Sequence, residues 1–213
     1  MPTIVAPFLS ARGDFLAPAR RVVRCCYHPL IQATSDTVSI NPEIRAAAVV
    51  YRPDDHDRQA LATFARELAD CGSSVGGVVQ EVFVDDQGRR THIDSVDLAT
   101  GDRVMINQRG QLDGASCTLD IAALVDAGAP LRRALISRPD LVVVEKFGEQ
   151  EQSGGGLADD ILQIIAEGLP ILVLVPEPAL ESWRELTGSA TAEVQCEAAA
   201  LQRWWQVELD NKF

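Results

Sequence analysis

Residues Val142–Ile161 read VVVEKFGEQEQSGGGLADDI, an apolar run, a charged turn, three glycines and an amphipathic segment. Two kinds of chemistry fit this order. Glu145 emerges where a buried strand would end, and an acidic residue there occupies the position of a magnesium ligand in phosphoryl-transfer folds. Glu151 is a second acidic candidate, and the metal-ligand assignment rests on this pair. Lys146 places a cation beside them. Ser153, Gly154, Gly155 and Gly156 then precede a helix start, where backbone amides and the helix dipole favour an anion. The same glycines suit a plain hinge equally well, because flexible loops use them too.

Further donors are Ser116, Cys117 and Thr118 in GASCTLD, a stretch that reads as an N-cap or as a second anion loop. Gln80 follows Gly76 and Gly77. It can aim its amide at a ligand or pair within the sheet. After the first apolar run the chain reads YRPDDHDRQA. That loop has no glycine, lysine or hydroxyl, so it lacks what a phosphate-wrapping P-loop requires. Asp54, Asp55 and Asp57 read as an acidic helix cap, or with His56 as a divalent-cation site. GxSxG is absent, so nucleophilic catalysis has no support from that motif.

The elements that position these residues alternate. AAAVVY, VGGVVQEVF, DLVVV and PILVLV are short apolar runs of the kind covered on both faces in a parallel sheet. RQALATFARELADCG, LADDILQIIAEG and PALESWRELTG carry helical spacing between them. EAAALQRWWQVEL reads as a last helix docked by Trp204 and Trp205, or as a tryptophan patch for a protein partner. TLDIAALVDAGAPLRRALIS reads as a helix kinked or split at Pro130. Turns at Asp86–Gly88 and Thr100–Gly101 place a small antiparallel insertion between the second and third parallel strands. The expected class is α/β, a three-layer doubly wound and mostly parallel sheet. Its ligands bind beyond the carboxyl ends of the strands.

Residues 1–44 carry five prolines and a net charge of +1, leaving −13 on the rest. They read as a poorly ordered extension, with residues 45–213 as a single α/β domain. The overall charge of −12 disfavours nucleic acid and anionic membranes. No apolar run approaches the ~20 residues of a membrane span. The first residues lack the pattern of a secretory leader, and a cytoplasmic location is expected. Five cysteines with no CxxC pair read as free thiols.

The pieces GGVVQ, DLATG, SCTLD, KFGEQE followed by GGGL, and WRELTG together resemble a bacterial family, domain of unknown function 2478, associated with molybdenum transport and nitrogenase genes. The resemblance covers about Arg45 to Gly188. That family is in turn similar to the thermophile-type nucleoside-triphosphatases. Glu145, Lys146, Phe147, Gly148 and Glu151 fall on their acidic segment after a central strand, while the P-loop is missing. The resemblance implies a degenerate P-loop NTPase-like fold and a non-hydrolytic accessory protein. Its ligand would be a small anion, either a molybdate-like oxyanion or a nucleotide with Mg, in molybdenum or nitrogenase metabolism. It also implies a protein partner in metal-cofactor metabolism. The alternative function is a divalent-metal-dependent nucleoside-triphosphatase with an atypical phosphate loop.

Overall fold

The structure, a computed structural model, describes residues 44–52, 59–106 and 128–211. Residues 1–43 of the extension expected at 1–44, the acidic loop with Asp54, Asp55, His56 and Asp57, and the stretch with Ser116, Cys117 and Thr118 lie outside the described residues.

The apolar runs form strands. They are β1 (Ala46–Tyr51), β2 (Val75–Val84), β5 (Leu141–Val144) and β6 (Ile171–Pro176). Residues Ala46–Tyr51 and Leu141–Val144 are buried throughout. That requires cover on both sides of the sheet. β3 (Arg90–Asp97) and β4 (Arg103–Met105) form the antiparallel insertion, through turns where Gln87 and Gly88 and then Thr100 and Gly101 stand. β7 (Ala192–Gln195) completes a seven-stranded sheet of order β4-β3-β2-β5-β6-β1-β7. β2, β5, β6, β1 and β7 run parallel, as expected of a doubly wound sheet.

Two cores flank the sheet. On one face lie α1 (Ala60–Asp70) and α6 (Ala198–Asp210), through Leu61, Phe64, Leu68, Leu201, Trp204 and Trp205. On the other lie α2 (Ala129–Ser137), α4 (Ala158–Ala166) and α5 (Leu180–Thr187), through Leu131, Ile161, Ile164 and Trp183. Both C-terminal tryptophans are buried, so they anchor α6 and form no exposed patch for a partner. Pro130 lies in the first turn of α2. Its missing N–H costs nothing at that position, and a helix starts there, at the place where a kink or a split was expected; residues 107–127 before it lie outside the described residues. Among the cysteines, Cys196 is a buried thiol outside any disulfide and Cys71 is disulfide-bonded, which corrects the expectation of free thiols throughout. No described helix is long and apolar enough to cross a membrane.

One glycine sets the seam between β2 and β5. Gly77 has φ +104°, and a Cβ there would stand 2.0 Å from the carbonyl oxygen of Val143. The two backbones meet because nothing protrudes between them. Replacing Gly77 with alanine combines a forbidden φ with a clash against backbone. Gly77→Ala is expected to lower the free energy of unfolding by more than about 3 kcal/mol in urea denaturation. An unchanged midpoint would show that this seam is not as close as described.

Candidate functional site

β5 ends at Val144, and the next four residues form the carboxyl edge of the sheet. The amide of Glu145 donates to the carbonyl of Val78 on β2 at 2.9 Å. The amide of Phe147 donates to Leu174 on β6, also at 2.9 Å. The segment is therefore tied to both neighbouring strands. Phe147 is fully buried and meets Trp183 of α5 edge to face, ring centres 5.4 Å apart. That contact pins the turn from below. Between these anchors Lys146 is exposed, and it makes no ion pair with any described residue.

Glu145 is only 9% exposed. Its Oε2 accepts the backbone amide of Gln80 at 2.9 Å. Burial pushes its carboxyl up to about 7. The Gln80 amide and the positive charges of Arg66 and Lys146 oppose that rise without cancelling it. Near neutral pH this group is thus both a hydrogen-bond donor and an acceptor, according to its protonation. Gln80 serves Glu145 through its main chain.

Glu151 has a different role from the one its type suggested. It sits in α3 (Glu149–Gln152), a single turn that the polar loop was not expected to contain. Its Oε2 accepts the amide of Gly148 at 2.8 Å and its Oε1 accepts the amide of Leu157 at 3.1 Å. Leu157 immediately precedes α4. The carboxylate of Glu151 therefore occupies the amino end of that helix, where an anionic ligand was expected. Gly156 packs against it: a Cβ on Gly156 would lie 2.2 Å from Glu151 Oε1.

Three further amides of the glycine bend are also engaged. Ser153 donates to the carbonyls of Glu149 and Gln150, Gly154 to Glu151 and Gly155 to Gln150. The hydroxyl of Ser153 donates to the carbonyl of Gln150 at 2.8 Å. These bonds close the end of α3 instead of converging on an empty cradle. Where an open anion nest was expected at Ser153, Gly154, Gly155 and Gly156, the amides of Ser153, Gly154 and Gly155 turn back onto α3, and that of Leu157 meets Glu151. Of the two expected metal ligands, Glu145 accepts the Gln80 amide and Glu151 spends one lone pair of each oxygen on an amide hydrogen. Among the described residues, no three His, Cys, Asp or Glu side chains are grouped to hold a metal ion. The signal for Glu151 was present in GEQE, the spacing of a helix N-cap and its third residue.

The structure also joins Arg52, just after β1, to Glu177, just after β6. Arg52 Nη2 lies 3.0 Å from Glu177 Oε1, and both side chains are exposed. Nothing in the sequence pairs residues so far apart.

A carboxyl whose folded pKa lies above its unfolded one binds protons preferentially in the folded state between the two. Glu145 therefore lowers stability progressively as pH rises from about 4.5 to about 7, and the loss is complete above that window. At pH 8 the loss amounts to about 3 kcal/mol. Glu145→Gln, which keeps an acceptor for the Gln80 amide, is expected to melt roughly 6–12 °C above the parent at pH 8. At pH 4.5 the two should nearly coincide. A difference independent of pH in thermal denaturation would contradict the burial argument. Glu151→Ala leaves two amides without their acceptor and is expected to cost about 3 kcal/mol at neutral pH in the same assay.

The comparisons with known proteins agree with this architecture. A family model described as a protein of unknown function, DUF2478, matches residues 46–204. A curated relative is Molybdenum import ATP-binding protein ModC 2 of Bradyrhizobium diazoefficiens, 37% identical over 171 residues, covering 80% of this chain and 19% of that protein. The chain thus spans about a fifth of the relative's length. Among solved structures, THEP1 from the hyperthermophile Aquifex aeolicus aligns with a TM-score of 0.50 at 16% identity, over 78% of this chain and 96% of that one. At such identity the likeness is one of fold, a seven-stranded, mostly parallel sheet with helices on both faces. The chain belongs to the DUF2478 family.

Proposed function

We propose that this protein is a non-hydrolytic binding module for a small oxyanion of the molybdate type, held at the carboxyl edge of the sheet. The observation that supports the reading best is Lys146. It is an exposed cation with no ion pair among the described residues, and its backbone is fixed from both sides by β2 and β6. In doubly wound sheets this edge is where ligands bind. On a chain of net charge −12 the long-range field repels an anion, so a local cation has to supply the attraction. Glu145 complements it. When protonated it can donate a hydrogen bond to an oxygen of the ligand, and when ionised it repels one. Binding should therefore weaken as pH rises through about 7.

The molybdate class is favoured because a relative at 37% identity bears the name of a molybdenum import protein. A role in molybdenum metabolism, alongside a protein partner there, follows from the same resemblance. Hydrolysis is disfavoured by chemistry. Phosphoryl transfer relies on positioning and charge neutralisation, and the loop after β1 offers neither a glycine cradle nor a lysine and hydroxyl.

Isothermal titration with sodium molybdate, sodium tungstate, ATP and GTP tests the reading. Molybdate or tungstate is expected to bind the parent at pH 6 and to lose about ten-fold in affinity with Lys146→Ala, the scale of one charge-assisted contact. Absence of binding by both oxyanions in a folded sample would overturn it. So would ATP or GTP turnover abolished by Lys146→Ala.

A further inference from the structure

β1 and β6 are adjacent and parallel, and their register brings Tyr51 opposite Pro176. The chain leaves β1 for α1 in one core and leaves β6 for α5 in the other. This is the point where the winding of the sheet reverses, and a crevice forms there in folds of this kind. Arg52 and Glu177 are the first residues past that registered pair. Their side chains meet across it: Arg52 Nε donates to Glu177 Oε1 at 3.1 Å and to Oε2 at 3.2 Å. β6 has β5 on its other side, where the Phe147 amide reaches Leu174. Lys146 and Arg52 therefore flank the end of β6 from opposite sides.

A guanidinium presents paired N–H donors that suit two oxygens of a carboxylate or of a tetrahedral oxyanion equally well. Both members of this pair are exposed, 69% for the Arg52 side chain and 49% for Glu177. Such a pair contributes little to folding, about 0–1 kcal/mol, and exchanges readily for another anion. We infer that Arg52 is the second cation of the oxyanion site and that Glu177 is its internal competitor, a carboxylate that holds the guanidinium until a ligand displaces it. The inference rests on the oxyanion reading above and adds regulation to it. Affinity is set by the difference between ligand and Glu177 as partners of Arg52. A dilute, weakly basic anion is thereby excluded, because it cannot compete with a carboxylate already in place.

Titration calorimetry of the full chain with sodium molybdate at low salt tests this, using the parent, Glu177→Gln, Arg52→Gln and the double variant. Glu177→Gln is expected to bind about five-fold more tightly, the upper end of what an exposed pair is worth. Arg52→Gln is expected to bind about five-fold more weakly. In the double variant the gain from Glu177→Gln should vanish, leaving the affinity of Arg52→Gln alone. All three should keep the parent melting temperature within a few degrees, since both side chains are exposed. If Glu177→Gln leaves affinity unchanged while Lys146→Ala still weakens it, the competitor is disproved and the oxyanion site stands. If the gain persists without Arg52, Glu177 acts only through its charge and the exchange is disproved. If no variant binds molybdate, both proposals fall.

Discussion

The carboxylate of Glu151, shared between the amides of Gly148 and Leu157, is the interaction on which the carboxyl edge depends. It satisfies the amide of Gly148, which precedes α3, and that of Leu157, the residue before α4. One buried charge thereby fixes both ends of a ten-residue connection. Burying an ion is costly unless its oxygens are satisfied, and here each oxygen meets an amide hydrogen beside a positive helix end. Gly156 is the other half of the arrangement. A side chain there would collide with the carboxylate, so the glycine makes room for it. The internal anion has a functional consequence. It occupies the amino end of α4 itself, so an oxyanion bound at this edge would be drawn by side-chain cations nearby.

Glu145 and Lys146 owe their properties to that fixed turn. Glu145 is tied to β2 through its amide and through the Gln80 contact, which keeps its carboxyl away from water. Lys146 points outward between two residues whose amides are spent on neighbouring strands. A buried protonatable group next to a cation that has no ion pair among the described residues gives an edge whose potential changes with pH. Under the oxyanion proposal, that edge would bind its ligand at low pH and release it at high pH.

Much of this fold is legible in the residues. LVVV and ILVLV stand out because a parallel strand covered on both faces admits no polar position. The hairpin turns are legible because Gly88 and Gly101 follow polar residues at strand ends. β7 is not legible. AEVQ alternates, is four residues long and lies at the edge, so only every second side chain is buried. The site was half legible. Glu145 was marked by its place after an apolar run. The glycine bend was less legible, because sequence gives the number of amide donors and not their directions, and here those of Ser153, Gly154 and Gly155 turn back onto the carbonyls of α3. Arg52 and Glu177 are brought together only by strand register, which no local pattern encodes.

The most direct measurement is a two-dimensional nitrogen–proton resonance titration of the full chain with sodium molybdate at pH 6. Side-chain cations at the rim should show the largest shifts, with Lys146 foremost, while the amides of Gly148 and Leu157 stay close to their free positions because Glu151 keeps them. Large early shifts at Gly148, Leu157 and the three glycines, with Lys146 unmoved, would mean that the ligand replaces Glu151. That result would contradict the account.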